Sequence, residues 1–132
     1  MKYLICAAAL VTLFSGCKKD ETVRAYGGGD ATWKLVELNG TTFAADATIA
    51  FPEKGKITGK GPCNEFASTI EVPYPWFKAG QIQSSRKACP ALAAETAYFR
   101  ALTDATLVEV SDQVMILSNT DGLSLVFKAL EQ

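Results

Sequence analysis

The 132-residue sequence contains no histidine, which removes Ser-His-Asp and Cys-His catalysis and every zinc site that uses imidazole. Cysteine is scarce, with four in the chain, and no second closely spaced pair exists that would hold a metal through thiolates alone. No metal and no cofactor are therefore expected. Charge of one sign is also lacking: 13 Lys and Arg stand against 14 Asp and Glu, a net charge of -1. That balance argues against a nucleic-acid partner, which would call for clustered cations. Long apolar runs are missing apart from one at the very start, Tyr3 to Phe14, which is shorter than the about 20 residues a helix needs to cross a bilayer.

What is present at the start is an export signal. Lys2 supplies the positive end, Tyr3 to Phe14 the apolar stretch, and Ser15-Gly16 the small residues before a cut. The segment 1–16 is read as a signal peptide and Cys17 as the first mature residue. Its thiol is placed to take a diacylglycerol and its freed amine a third chain such as palmitate. Leu13-Phe14-Ser15-Gly16-Cys17 resembles the bacterial lipobox, with the usual Leu displaced by one position. Two or more acyl chains anchor stably, at roughly 0.8 kcal/mol per buried methylene. By resemblance to sorting rules of diderm bacteria, Lys18 after the lipidated Cys implies the outer membrane, facing the periplasm. Residues 17–30, with mixed charge and Gly27-Gly28-Gly29, are expected as a flexible tether.

The remainder, residues 31–132, has the size of one domain. Once Cys6 leaves with the signal and Cys17 is acylated, Cys63 and Cys89 remain. In an oxidising compartment they are expected to form a disulfide, worth about 3 kcal/mol through the unfolded chain. Two buried free thiols or a metal pair are the competing readings.

Alternation of apolar with polar residues, broken by turn residues, predicts strands at Thr32 to Leu38, Thr48 to Phe51, Lys56 to Gly59, Asn64 to Val72 and Gln81 to Ser85. Three more follow at Leu107 to Val110, Val114 to Leu117 and Leu123 to Phe127, the last two joined through Asp121-Gly122. Between these two sets the period changes. Residues 90–102 carry Pro at the start and Ala, Leu and Glu within, which predicts one helix, with Leu92, Thr96, Phe99 and Leu102 on its apolar face. The expected fold class is mainly β: a small antiparallel barrel or strongly curved sheet of about eight strands with one helix. An open sheet with the helix on one face is the alternative.

Few groups invite chemistry. Ser84 or Ser85 with Lys87 has dyad spacing, but a solvated polar strand accounts for these residues as well. Glu65, Glu71, Glu95 and Glu109 are scattered in sequence, and acid/base work would need two of them held across a substrate. Glu95 stands apart because, from a helix, it could reach backbone groups near Cys89 or Asn64; simple exposure is the other reading. Gly59, Gly61, Asn64 and Glu95 are read as a structural motif around the cysteines, since Asn readily satisfies backbone groups in turns. Tyr74, Trp76 and Phe77, set between and after Pro73 and Pro75, form an aromatic loop: either a contact patch or a plug of the barrel.

With these pieces in order, the sequence resembles the META domain family, which includes the bacterial heat-shock protein HslJ. The resemblance rests on Trp33-Lys34-Leu35, Ile49-Ala50-Phe51, the central Gly59-Lys60-Gly61-Pro62-Cys63-Asn64-Glu65-Phe66, Ala88-Cys89, Glu95, Phe99, Leu102 and Leu125-Val126-Phe127. Two departures are Pro62, where relatives carry Gly before Cys-Asn, and Ser84 to Lys87, where a Thr and a Met are common. The resemblance implies a small antiparallel β structure with one helix and no enzymatic reaction. The family's associations are with heat shock, envelope stress, drug tolerance, motility or secretion. The lipid anchor, flexible tether, small stapled domain and absence of a catalytic constellation are read as a membrane-anchored envelope protein that works through contact with an unidentified envelope protein, in envelope stress tolerance. A small-ligand-binding or enzyme-inhibiting barrel module in the periplasm is the alternative.

Overall fold

The computed structural model describes residues 19–130. The expected signal segment 1–16 and the expected acylation site Cys17 lie outside the described residues.

The strand pattern read from the sequence is largely what forms. β1 (Trp33–Leu38), β2 (Thr41–Thr42), β3 (Thr48–Ala50), β4 (Lys56–Lys60), β5 (Glu65–Thr69) and β6 (Gln83–Ser84) precede α1 (Leu92–Asp104), and β7 (Leu107–Ser111), β8 (Val114–Ser118) and β9 (Ser124–Ala129) follow it. All pairings are antiparallel, in the order β6-β5-β4-β3-β1-β9-β8-β7, with β2 beside β1. The two halves meet at β1, which pairs with β3 through Trp33–Ile49 and with β9 through Leu35–Phe127.

The expected barrel or strongly curved sheet does not form. β6 and β7 are the two ends of an open sheet and do not pair with each other. The physical reason lies in the segment between β5 and α1. β6 has only two residues, and Pro73 and Pro75 lack the donors a further full strand would need. The β7 edge is covered instead by the aromatic loop: Phe77 N–H donates to Thr106 O at 2.9 Å and Val108 N–H to Pro75 O at 2.8 Å. A flanking edge is thereby protected without closure.

The core fills one face of this sheet, under α1. Trp33, Leu35, Ile49, Phe51, Ile57, Leu117, Leu125 and Phe127 are buried there. Tyr98 reaches in from the helix, edge-on to Phe66 at 5.8 Å between ring centres, and its hydroxyl donates to Thr48 O at 2.9 Å. Burial pushes that hydroxyl well above its ordinary pKa, so it remains a neutral donor.

Two local departures from simple periodicity matter. In β1 the register with β9 shifts between Leu35 and Glu37. This bulge turns Leu38 toward the core and leaves Glu37 exposed, reversing the alternation the sequence suggests after Leu35. On α1 the buried residues are Glu95, Tyr98, Ala101 and Leu102, while Leu92 and Thr96 of the expected apolar face are exposed.

The stretch expected as a flexible tether is packed from Asp20 onward. Two short 3-10 turns, Val23–Tyr26 and Gly28–Asp30, lie against the domain. Val23 is fully buried, Trp33 Nε1–H donates to Gly28 O at 2.9 Å, and Tyr74 N–H donates to Glu21 O at 2.6 Å. Gly27 joins the turns at φ +103°, a left-handed conformation that suits glycine. The glycines thus permit a tight fold-back where composition alone suggests a spacer. Asp20 starts it: partial burial opposes its charge, but the Thr22 hydroxyl and N–H and the Arg24 guanidinium outweigh that and hold the carboxyl below its ordinary range.

Candidate functional site

The residues read as a structural motif converge at the start of α1. β4 and β5 are joined by residues 61–64, and Gly61 N–H donates to Asn64 O at 2.7 Å to close that turn. Glu95, on the first turn of α1 and only 4% exposed, points into it. Its Oε1 accepts from Cys63 N–H at 3.0 Å and Asn64 N–H at 2.6 Å, and its Oε2 accepts from Asn64 Nδ2–H at 2.7 Å. Asn64, itself buried, uses the rest of its amide on the chain leading to the helix. Nδ2–H also donates to Lys87 O at 3.0 Å, while Oδ1 accepts from Lys87 N–H at 2.8 Å and Ser85 Oγ–H at 3.0 Å.

The Cys63–Cys89 disulfide crosses the same junction, with Cα atoms 5.7 Å apart and a sequence separation of 26. Cys89 O accepts from Leu92 N–H at 3.1 Å, so the bridge ends where α1 begins. Neither glycine of the motif has room for a side chain. A Cβ on Gly59 would overlap Thr48 O and the Phe66 ring, and one on Gly61 would lie 2.5 Å from Glu95 Oε1 and 3.0 Å from Phe99. Gly61, Asn64, Glu95 and the disulfide form one clasp joining the β4–β5 connection to the helix; Gly59, two residues before Gly61 and within β4, lets β3 and Phe66 close over it.

This arrangement leaves little for chemistry. Ser85 is committed to Asn64, and Glu65, Glu71 and Glu109 are exposed. Among the described residues, no group of three or more His, Cys, Asp or Glu side chains is placed to hold a metal ion. The clasp offers a buried carboxylate to protein donors, which is a structural task.

Residues 28–132 match the META domain. The chain belongs to the META domain family. META domains are non-catalytic modules, and the clasp is the physical form taken here by the Gly, Cys-Asn and Ala-Cys elements that carry the resemblance. No curated protein matches the chain in sequence. Solved structures share its fold. A protein from Burkholderia xenovorans, solved by NMR, superposes with a TM-score of 0.65 at 23% identity, covering 83% of this chain and 88% of that one. A DUF4847 family protein from Bacteroides vulgatus, solved by crystallography, gives 0.61 at 15% identity, covering 83% and 99%.

The aromatic loop of this META domain is divided by the structure. Phe77 is buried at 2% exposure and belongs to the core, while Trp76 is 55% exposed, so it does not plug the fold. Tyr74 lies between these extremes. Its ring stacks on Tyr26 with centres 4.8 Å apart, and its hydroxyl accepts from Val110 N–H at 3.2 Å. Tyr26 was not among the expected contact residues because it sits in the stretch read as tether, yet it is 53% exposed beside the loop. The outer side of α1 carries a second surface feature, a shallow and mostly apolar groove lined in part by Leu38, Ala93, Ala97, Arg100 and Leu123.

Proposed function

We propose that this META domain is an HslJ-like, non-enzymatic lipoprotein of the bacterial envelope. Acylated Cys17 holds it to the membrane, facing the periplasm, and it acts through protein contacts in tolerance of envelope stress. The observation that carries this reading is the commitment of the gathered polar groups. Asn64, Ser85 and Glu95 are all bonded within the clasp, so what the domain presents outward is a rigid shape with apolar side chains rather than a reactive centre. The signal-like start and the residue composition around Cys17 support the anchor.

Two measurements test it. Replacing Cys17 with Ala is expected to move the protein from the membrane fraction to the soluble envelope fraction and to abolish incorporation of labelled palmitate; continued membrane retention with no acyl label would overturn the anchor. For the contact function, a photocrosslinker at position 97, exposed on the outer side of α1, is placed in the full-length protein in cells under envelope stress. One recurrent envelope protein in the adducts is expected. Adducts with no recurring partner, from a folded and acylated protein, would refute action by contact from this face.

A further inference from the structure

Two of the four large hydrophobic side chains exposed among the described residues, Tyr26 and Trp76, lie near the point where the chain enters the domain. Both are more than half exposed, whereas Leu92 sits at the start of α1 and Leu130 at the far end of the β7-β8-β9 ladder from Trp76. Trp76 closes a turn in which its N–H donates to Pro73 O at 2.9 Å, two residues from the Tyr74 ring that stacks on Tyr26. Trp76 is held on fixed backbone, bridged to Leu107.

The chain leading to this cluster is short. Asp20 is tied down by Thr22 and Arg24, and Glu21 by Tyr74. Cys17 is three residues before Asp20, and an extended chain spans at most about 3.5 Å per residue, roughly 10 Å in all. A lipid on Cys17 therefore brings the cluster to the membrane surface, where the earlier expectation of a long tether would have kept it away. Trp and Tyr are the residues favoured at the headgroup level, because their rings are apolar with one polar edge. Charge at this end is mixed, with Lys19 and Lys54 beside Glu21 and Glu71, so neither attraction to nor repulsion from anionic lipid dominates.

We infer that Tyr26 and Trp76 rest in the headgroup layer of the membrane that holds Cys17, which fixes the domain on the bilayer in one orientation. This rests on the acylation of Cys17 proposed above. Because the lipid already confines the domain, the aromatic contact is intramolecular in effect, and a small apolar area suffices to orient it. The outer side of α1 is then left to protein partners.

The test uses the full-length protein purified from membranes, with the acyl mass on Cys17 verified, in vesicles of phosphatidylethanolamine and phosphatidylglycerol. Trp33 is buried, so quenching by acrylamide reports mainly on Trp76, and a Trp76→Phe variant supplies the background. Relative to the soluble Cys17→Ala protein, Trp76 in vesicles is expected to lose most of its acrylamide quenching and to become quenched by brominated lipid. Trp76 as open to acrylamide in vesicles as in the soluble protein would overturn the inference while leaving the anchor intact. Shielding in native membranes but not in pure lipid would also overturn it, in favour of a protein occupant. Absence of the acyl mass would remove both the anchor and the orientation built on it.

Discussion

Replacing Glu95 with Ala is expected to destabilise the domain by about 3–4 kcal/mol, because it orphans buried donors rather than merely removing a charge. Cys63 N–H and Asn64 N–H have Glu95 Oε1 as their partner, and Asn64 Nδ2–H loses the shorter of its two acceptors. Each unsatisfied buried group costs about 1–3 kcal/mol, with the lower end applying at half-buried Cys63, where water can replace the lost acceptor. For a domain of this size the loss corresponds to a fall in Tm of roughly 15–20 °C. Glu95→Gln should fall between the two proteins. It can still offer an oxygen to the two backbone donors, but then its own NH2 faces Asn64 Nδ2–H. Reversing the Asn64 amide would only move the conflict to Lys87, whose N–H would face Nδ2–H and whose carbonyl oxygen would face Oδ1. Thermal unfolding of the three proteins checks this; a Glu95→Ala protein as stable as the parent would show that the clasp does not hold the fold.

Glu95 also marks the limit of what the sequence discloses. The strands at Trp33, Ile49, Ile57, Phe66, Val108, Met115 and Leu125 were legible because each alternates over a half-buried surface, and that pattern survives in the burial of the folded sheet. The helix was legible in its existence and not in its facing. Of the two readings of Glu95, reach to the backbone near Asn64 or simple exposure, the structure has the first. With three donors from residues 63 and 64 drawing the carboxylate inside, the helix turns so that Tyr98 is buried and Leu92 is not. The same kind of long-range decision opens the sheet. Counting eight strands permits a barrel, but closure depends on edge pairing, and the β7 edge is occupied by backbone from the aromatic loop. Gly27 to Gly29 misled in the other direction. A run of glycine has the composition of a spacer, whereas here it folds back under Trp33, five residues on, and Val110, far along the chain. The disulfide, in contrast, is the favoured reading of the cysteine count and the expected export, ahead of free thiols or a metal pair, and it is present between Cys63 and Cys89.

Removing that disulfide is the second change expected to have a large effect, and its cause is different. Cys63→Ala with Cys89→Ala deletes a crosslink spanning 26 residues, for which the chain-entropy relation gives about 3.5 kcal/mol, acting by freeing the unfolded chain. The native sheet does not depend on it, since the core residues from β1, β3, β8 and β9 are joined by ladders that the bridge does not touch. The double variant should therefore fold, with a lower urea midpoint. Its m-value should be larger, because an unfolded chain without the crosslink exposes more surface. Reduction of the parent protein should reproduce both changes. Combining the double variant with Glu95→Gln separates two views of the clasp. If the bridge acts only on the unfolded chain, the two losses add to within about 0.5 kcal/mol. If it also holds residues 63 and 64 against Glu95, the combined loss is smaller than the sum, because loosening the junction already relaxes the bonds that the loss of charge in Glu95→Gln weakens. Those bonds are short and shared between the residue adjoining the bridge and the bridge cysteine itself, so the second result is expected; strict additivity would confine the disulfide to an effect on the unfolded chain.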